Sequence, residues 1–172
     1  MITRIFARCI AIAIMFLGIS TNALAFPTIE VSREVREIAL TSGLSFLEDT
    51  SGELGLEDIL RAENREKFQP VLGEIPSFGL SVSAFWVGFR VESTDSSPVK
   101  KYLELDFPIL REVDLFVESE DGSFQRFSTG YGKAFSERPL LTRSFVFPLE
   151  LKPSSPTRCF LRIQSLTALQ AP

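Results

Sequence analysis

The sequence predicts an all-β protein, an antiparallel β-sandwich with one short helix near the N-terminus. Short stretches alternate apolar and polar residues with period two, and clusters of Gly, Pro, Ser and Asp punctuate them. The 16 phenylalanines supply enough bulk to fill the space between two sheets.

Residues 1–25 stand apart from the fold. Arg4 and Arg8 precede an apolar stretch from Cys9 to Ile19, and Ala23-Leu24-Ala25 gives a small-x-small cleavage pattern. This is the pattern of a secretory signal peptide, and the apolar stretch is shorter than the roughly 18 residues of a membrane span. Export to the periplasm is therefore expected, with a mature chain beginning near Phe26. Residues 26–43 read as a lead-in segment and 44–172 as one β-sandwich domain. The full chain carries 18 basic and 22 acidic residues, a net charge of −4, and losing Arg4 and Arg8 would make it −6. An acidic chain without a basic stripe argues against nucleic acid as a partner.

Within the domain, "GLSFLED" alternates with Leu44 and Phe46 on one side. "GLEDILRA", residues 55–62, places Leu56, Ile59 and Leu60 on one helical stripe, with Glu57 and Asp58 in the first turn, where they favour the helix dipole. "SAFWVGFRV", residues 83–91, sends Phe85, Val87, Phe89 and Val91 to one face, and Trp86, Gly88 and Arg90 to the other. "KKYLELDF" and "EVDLFVES" alternate likewise, and "EDG" at 120–122 signals a hairpin into "SFQRFS". "RSFVFPLEL" and "TRCFLRIQS" follow, joined by "KPSSP"; Pro148 inside the former implies an edge strand or a bulge. The chain then stops at "SLTALQAP" with no closing element legible, so further strands beyond 172 are expected.

Composition narrows the chemistry. The chain has no histidine, which removes imidazole metal ligands, Ser-His-Asp and Cys-His machinery and the usual general base near neutral pH. Of the two cysteines only Cys159 follows residue 25; it shares its parity with Leu161 and Ile163, as a small buried hydrophobe would. "EDTSGELGLED" looks like a calcium loop, but counted from Asp49 its sixth residue is Leu54 and its twelfth is Leu60, so the EF-hand pattern fails. Asp49 and Ser51 fit a turn before the helix instead. No cofactor and no metal site are expected.

Binding residues are sought on polar strand faces and in loops. Trp86 with Arg90 beside it, and Gly88 opening room between them, would suit a sugar or a carboxylate. The other possibility is that Trp86 lies under a loop or the short helix. Glu104 and Asp106 share a face with Tyr102 and could adjoin Trp86 across a sheet; as a carboxylate pair they could serve a glycosidase or simply line a solvated face. Arg138, in "SERP" after Gly130 and Gly132, could be presented to a ligand or paired with Glu137 or another acid. Arg143 and Arg162 read as surface ion-pair residues.

Five stretches in sequence carry a resemblance. "FLEDTSGELGLEDIL", "FGLSVSAFWVGFRV", "YLELDFPILREVDLFV", "FSERPLLTRSFVFPLEL" and "RCFLRIQSLTALQAP" are similar, in order and spacing, to the second type of extracellular domain of bacterial seven-transmembrane receptors with diverse intracellular signalling modules. Gly88 departs from that pattern, standing where the family often has a larger polar residue. The resemblance implies a periplasmic jelly-roll sensor domain similar to carbohydrate-binding modules. It implies a non-enzymatic role: binding a small polar ligand and passing the signal to a seven-helix membrane segment and a cytoplasmic kinase or cyclase. This chain carries neither, so it is expected either to be truncated before the membrane segment or to act with a partner membrane protein, and a free secreted carbohydrate-binding module is the alternative.

Overall fold

The computed structural model describes residues 26–40, 43–72, 77–165 and 168–170; for 77–80 and 168–170 only the backbone is considered. The predicted signal peptide lies outside the described residues. Among the described residues eleven strands and two short α-helices follow in order: β1 (Thr28–Val31), β2 (Ser45–Asp49), α1 (Leu56–Leu60), α2 (Ala62–Arg65), β3 (Gln69–Pro70), β4 (Ser77–Leu80), β5 (Ala84–Ser93), β6 (Val99–Leu105), β7 (Glu112–Glu118), β8 (Phe124–Thr129), β9 (Phe145–Leu151), β10 (Thr157–Gln164) and β11 (Ala168–Gln170).

The main sheet has seven strands in the order β3-β2-β5-β10-β7-β8, with β1 also on β5. β2 pairs antiparallel with the first half of β5 and β1 pairs parallel with its second half, so the ten-residue β5 carries both on one side and β10 on the other. The facing layer is the β6–β9 ribbon, in register from Val99↔Leu151 to Leu105↔Phe145. A further antiparallel pair, β4–β11, uses the segment after β10 that the sequence left without an element. The chain crosses between layers at β5→β6, β6→β7, β8→β9 and β9→β10, the alternation a jelly roll requires.

The predicted apolar faces meet between these layers. Phe85, Val87, Phe89 and Val91 pack with Val113, Leu115, Leu161 and Ile163, and against them lie Leu105, Phe145, Phe147, Leu149 and Leu151 from the ribbon. Cys159 is buried among them, and burial, with the Glu118 charge adding, pushes its thiol pKa up to about 12. Pro148 sits opposite Tyr102 in β9, whose ladder runs to β6 alone among the described residues, as an edge strand allows.

A second apolar cluster covers the outer face of the main sheet. Phe26, Leu47, Ile59, Phe68, Trp86 and Phe160 are buried together, with Leu54, Leu56 and Leu60 packed on them. The single predicted helix is broken at Arg61, whose backbone is extended (φ −68°, ψ 143°). The buried Asn64 joins the halves: its Nδ2 donates to the Asp58 carbonyl (2.9 Å), and its Oδ1 accepts from Lys67 Nζ (2.8 Å). Asp49 makes the predicted turn before them, its carboxylate accepting from the backbone N–H groups of Ser51, Gly52 and Leu54 at 2.9–3.1 Å.

Candidate functional site: a polar groove at one end of the sandwich

The residues singled out in the sequence do not converge. Trp86 is fully buried. Its indole stacks on Phe116 (ring centroids 5.6 Å apart, 23° between planes), and Nε1 has no hydrogen-bond partner among the described residues. Of the two possibilities for Trp86, the structure has the covered one: Ile59, on the short helix, with Phe68 and Phe26 closes this face. Nor does Gly88 open room for a ligand. The Phe26 ring fills the place of its missing side chain; an ideal Cβ there would lie 2.4 Å from Cζ.

Arg90 stands one row further from Gly88, beside Arg158, while Phe26 and Phe160 occupy the level between it and Trp86. Glu104 and Asp106 belong to the other layer. The inner side of β6 packs into the core, so these exposed carboxylates face away from the main sheet, on the opposite side of the molecule from Trp86. Adjacency across a sheet is thus excluded by the layering. Asp106 accepts from Ser144 Oγ (3.1 Å).

Arg138 is half-buried and committed to its own loop. Its Nη1 donates to the carbonyls of Thr142 (2.6 Å) and Arg143 (2.7 Å), and its guanidinium lies between the rings of Phe135 (4.8 Å) and Phe145 (4.7 Å). The expected pairing with Glu137 is not formed; Glu137 accepts instead from the Ala134 N–H. Arg162 reaches Glu112 (3.5 Å) but also donates to the Gly52 carbonyl (2.9 Å), tying the Asp49 turn to β10.

A cavity of about 550 Å³ lies elsewhere, at the end of the sandwich formed by the β7–β8 and β9–β10 turns. The β7–β8 turn is the predicted hairpin. Gly122 takes φ +80°, and the Asp121 carboxylate accepts from the Ser123 N–H (3.0 Å) and Oγ (2.6 Å), which lowers the Asp121 pKa below its ordinary range. The opposing wall is the "KPSSP" turn, with Ser154 in the left-handed region (φ +51°).

Two ion pairs brace the walls: Lys152 with Glu120, and Arg158 with Glu118. The second is bidentate, with Arg158 Nε 2.7 Å from Glu118 Oε2. Hydrogen bonding from Arg158 lowers the Glu118 pKa below 4.5 despite partial burial, and Arg158 is raised in turn. Gln125, Glu150, Lys100, Ser155 and Thr157 present further donors and acceptors, over apolar surface from Val117, Phe127 and Pro148. A cavity of this size, with convergent polar groups over apolar patches, can hold a small polar molecule. Among the described residues no group of three or more Cys, Asp or Glu side chains is placed to hold a metal ion.

Comparison with known proteins places this architecture. A family model described as 7TMR-DISM extracellular 2 matches residues 41–172. The chain belongs to that family. Members of 7TMR-DISM extracellular 2 are extracellular domains of membrane receptors, so this β-sandwich is a receptor-type sensor domain rather than a member of an enzyme family. No curated relative matches the chain significantly. No helix among the described residues is long and apolar enough to cross a membrane.

None of the groove residues figured among the sequence candidates. Their turns were legible as turns, but only the pairing of β10 with both β5 and β7 brings them to one end. Period-two alternation records which face a side chain takes and not which distant turn meets it.

Proposed function

We propose that this domain is the exported, ligand-sensing part of a bacterial signalling receptor, and that its ligand is a small polar molecule, a carbohydrate or a carboxylate, held in the groove between the β7–β8 and β9–β10 turns. The groove carries the reading: about 550 Å³ of space lined by paired donors and acceptors over Phe127 and Pro148. Lys100 and Lys152 would meet a carboxylate. Glu150 and Gln125 would accept from and donate to sugar hydroxyls, with Phe127 and Pro148 against the apolar face of the ring. Residues 1–25 would direct export to the periplasm, and the role is one of binding without catalysis. Membrane relay and intracellular output would then come from a seven-helix segment and a kinase or cyclase, as the resemblance implies.

A thermal-shift screen of sugars and organic acids on the full chain tests this. A stabilising compound is expected whose shift disappears in Gln125→Ala and Glu150→Gln and persists in Trp86→Phe. A compound that stabilises both groove variants as much as the parent would show that the groove is not its site.

A further inference from the structure

The opposite end of the sandwich has a different surface. There the β6–β7 loop (106–111) and the β8–β9 loop (130–144) run together: the Tyr131 N–H donates to the Leu110 carbonyl (2.9 Å), and the Gly132 N–H donates to that of Arg111 (3.1 Å). Gly130 makes this approach possible, with φ +136° and no room for a Cβ, which would lie 2.1 Å from the Arg111 carbonyl oxygen. The β8–β9 loop is held in shape from within by Arg138, through the Thr142 and Arg143 carbonyls and the Phe135 ring.

The arrangement turns apolar side chains outward. Ile109 is 49% exposed, Tyr131 51%, Phe135 55% and Leu141 66%; Val82, next to the start of β5 at the same end, is 72% exposed. These five are more than half of the nine large apolar side chains exposed among the described residues. The two loops that carry four of them also hold four basic residues (Arg111, Lys133, Arg138 and Arg143) against two acidic ones (Asp106 and Glu137), with Glu112 at the start of β7 pairing with Arg111 (4.0 Å), in a chain whose net charge is −4. Exposed aromatic and aliphatic tips rimmed by cations suit a surface that is apolar beneath and anionic above.

We infer that this end of the domain docks onto the headgroup region of an anionic lipid bilayer, with Ile109, Tyr131, Phe135 and Leu141 entering the interface and Arg111, Lys133 and Arg143 facing lipid phosphates. A second copy of the chain is the weaker occupant, because a two-fold contact would set the same cations against one another. β10 also delivers the chain to this end at Gln164, beside Glu112 at the start of β7. The docking end and the groove lie at opposite ends of the sandwich, so the two proposals fail independently.

Fluorescence tests the docking directly, because Trp86 is the sole tryptophan and is fully buried. In Leu141→Trp the added indole reports from the patch itself. Vesicles of phosphatidylglycerol and phosphatidylethanolamine should shift its emission to the blue. Phosphatidylcholine vesicles should do so at least several-fold more weakly, and adding Lys133→Glu and Arg143→Glu should abolish the shift. The inference is overturned if anionic vesicles cause no shift, if the charge reversals leave it unchanged, or if a blue shift appears without vesicles as protein concentration rises.

Discussion

An ideal Cβ on Gly88 would lie 2.4 Å from Phe26 Cζ and 2.9 Å from both flanking ring carbons, so the glycine is required by the ring that covers it. Phe26 meets Phe68 and Phe160 edge-on at 5.3 and 5.8 Å, which leaves the ring nowhere to retreat. Gly88→Ala should therefore cost about 1–3 kcal/mol through overpacking. The cost should shrink in a Phe26→Ala background, a coupling that a double-mutant cycle in urea can measure. Full additivity would mean that the ring is not what excludes the methyl group. Cys159 is defined by its surroundings in the same way. A thiol raised to about 12 is protonated at pH 8, and burial denies reagent access. Peptide mapping after iodoacetamide at pH 8 should find Cys159 unmodified in the native protein and fully alkylated in urea.

The longer strands were legible because alternation survives in them, as in the β5 residues Phe85, Val87, Phe89 and Val91, all in the core. The helical stripe of Leu56, Ile59 and Leu60 was legible too, though not its break at Arg61. What covers a polar-looking face was not legible. Trp86, Gly88 and Phe160 look outward by parity, and only the packing of Phe26 and the helix pair over them turns that face into a second core. β1, β4 and β11 were missed because three or four residues carry too little alternation to be read. The ladders also determine which charges meet, as β7 and β10 show by setting Glu118 beside Arg158. Glu118 is held below 4.5 in the folded chain, whereas unfolding frees it to titrate at 4.5. The pair's stabilisation is thus complete above pH 4.5 and is lost as pH falls through the folded value. Both side chains keep partial solvent contact, at 35% and 20% exposure, so screening limits the effect to about 1 kcal/mol. Urea midpoints of the parent should accordingly fall from pH 5 to pH 3 more steeply than those of Glu118→Gln. Parallel slopes would show that the pair adds nothing.

At the scale of the molecule, one sheet separates two apolar clusters of unequal support. The inner cluster lies between sheet and ribbon and draws on β5, β7, β9 and β10. Among the described residues the outer one has as its lid Phe26, Phe68 and a nine-residue helical pair interrupted at Arg61, with Ile59 its fully buried anchor. Helices this short have little stability of their own and persist only through tertiary packing. The lid should therefore open as a local unit below the free energy of global unfolding. Amides of 56–68 should exchange faster than those of β5 and β10, and Ile59→Ala should widen the gap by removing about 2–5 kcal/mol of packing from the lid alone. Trp86 reports the same event optically, since losing the lid wets an indole that is otherwise fully buried. In Ile59→Ala its emission should move to the red at denaturant concentrations where the far-ultraviolet signal of the strands is still intact. Coincident transitions by both probes would mean instead that the two clusters fold as one.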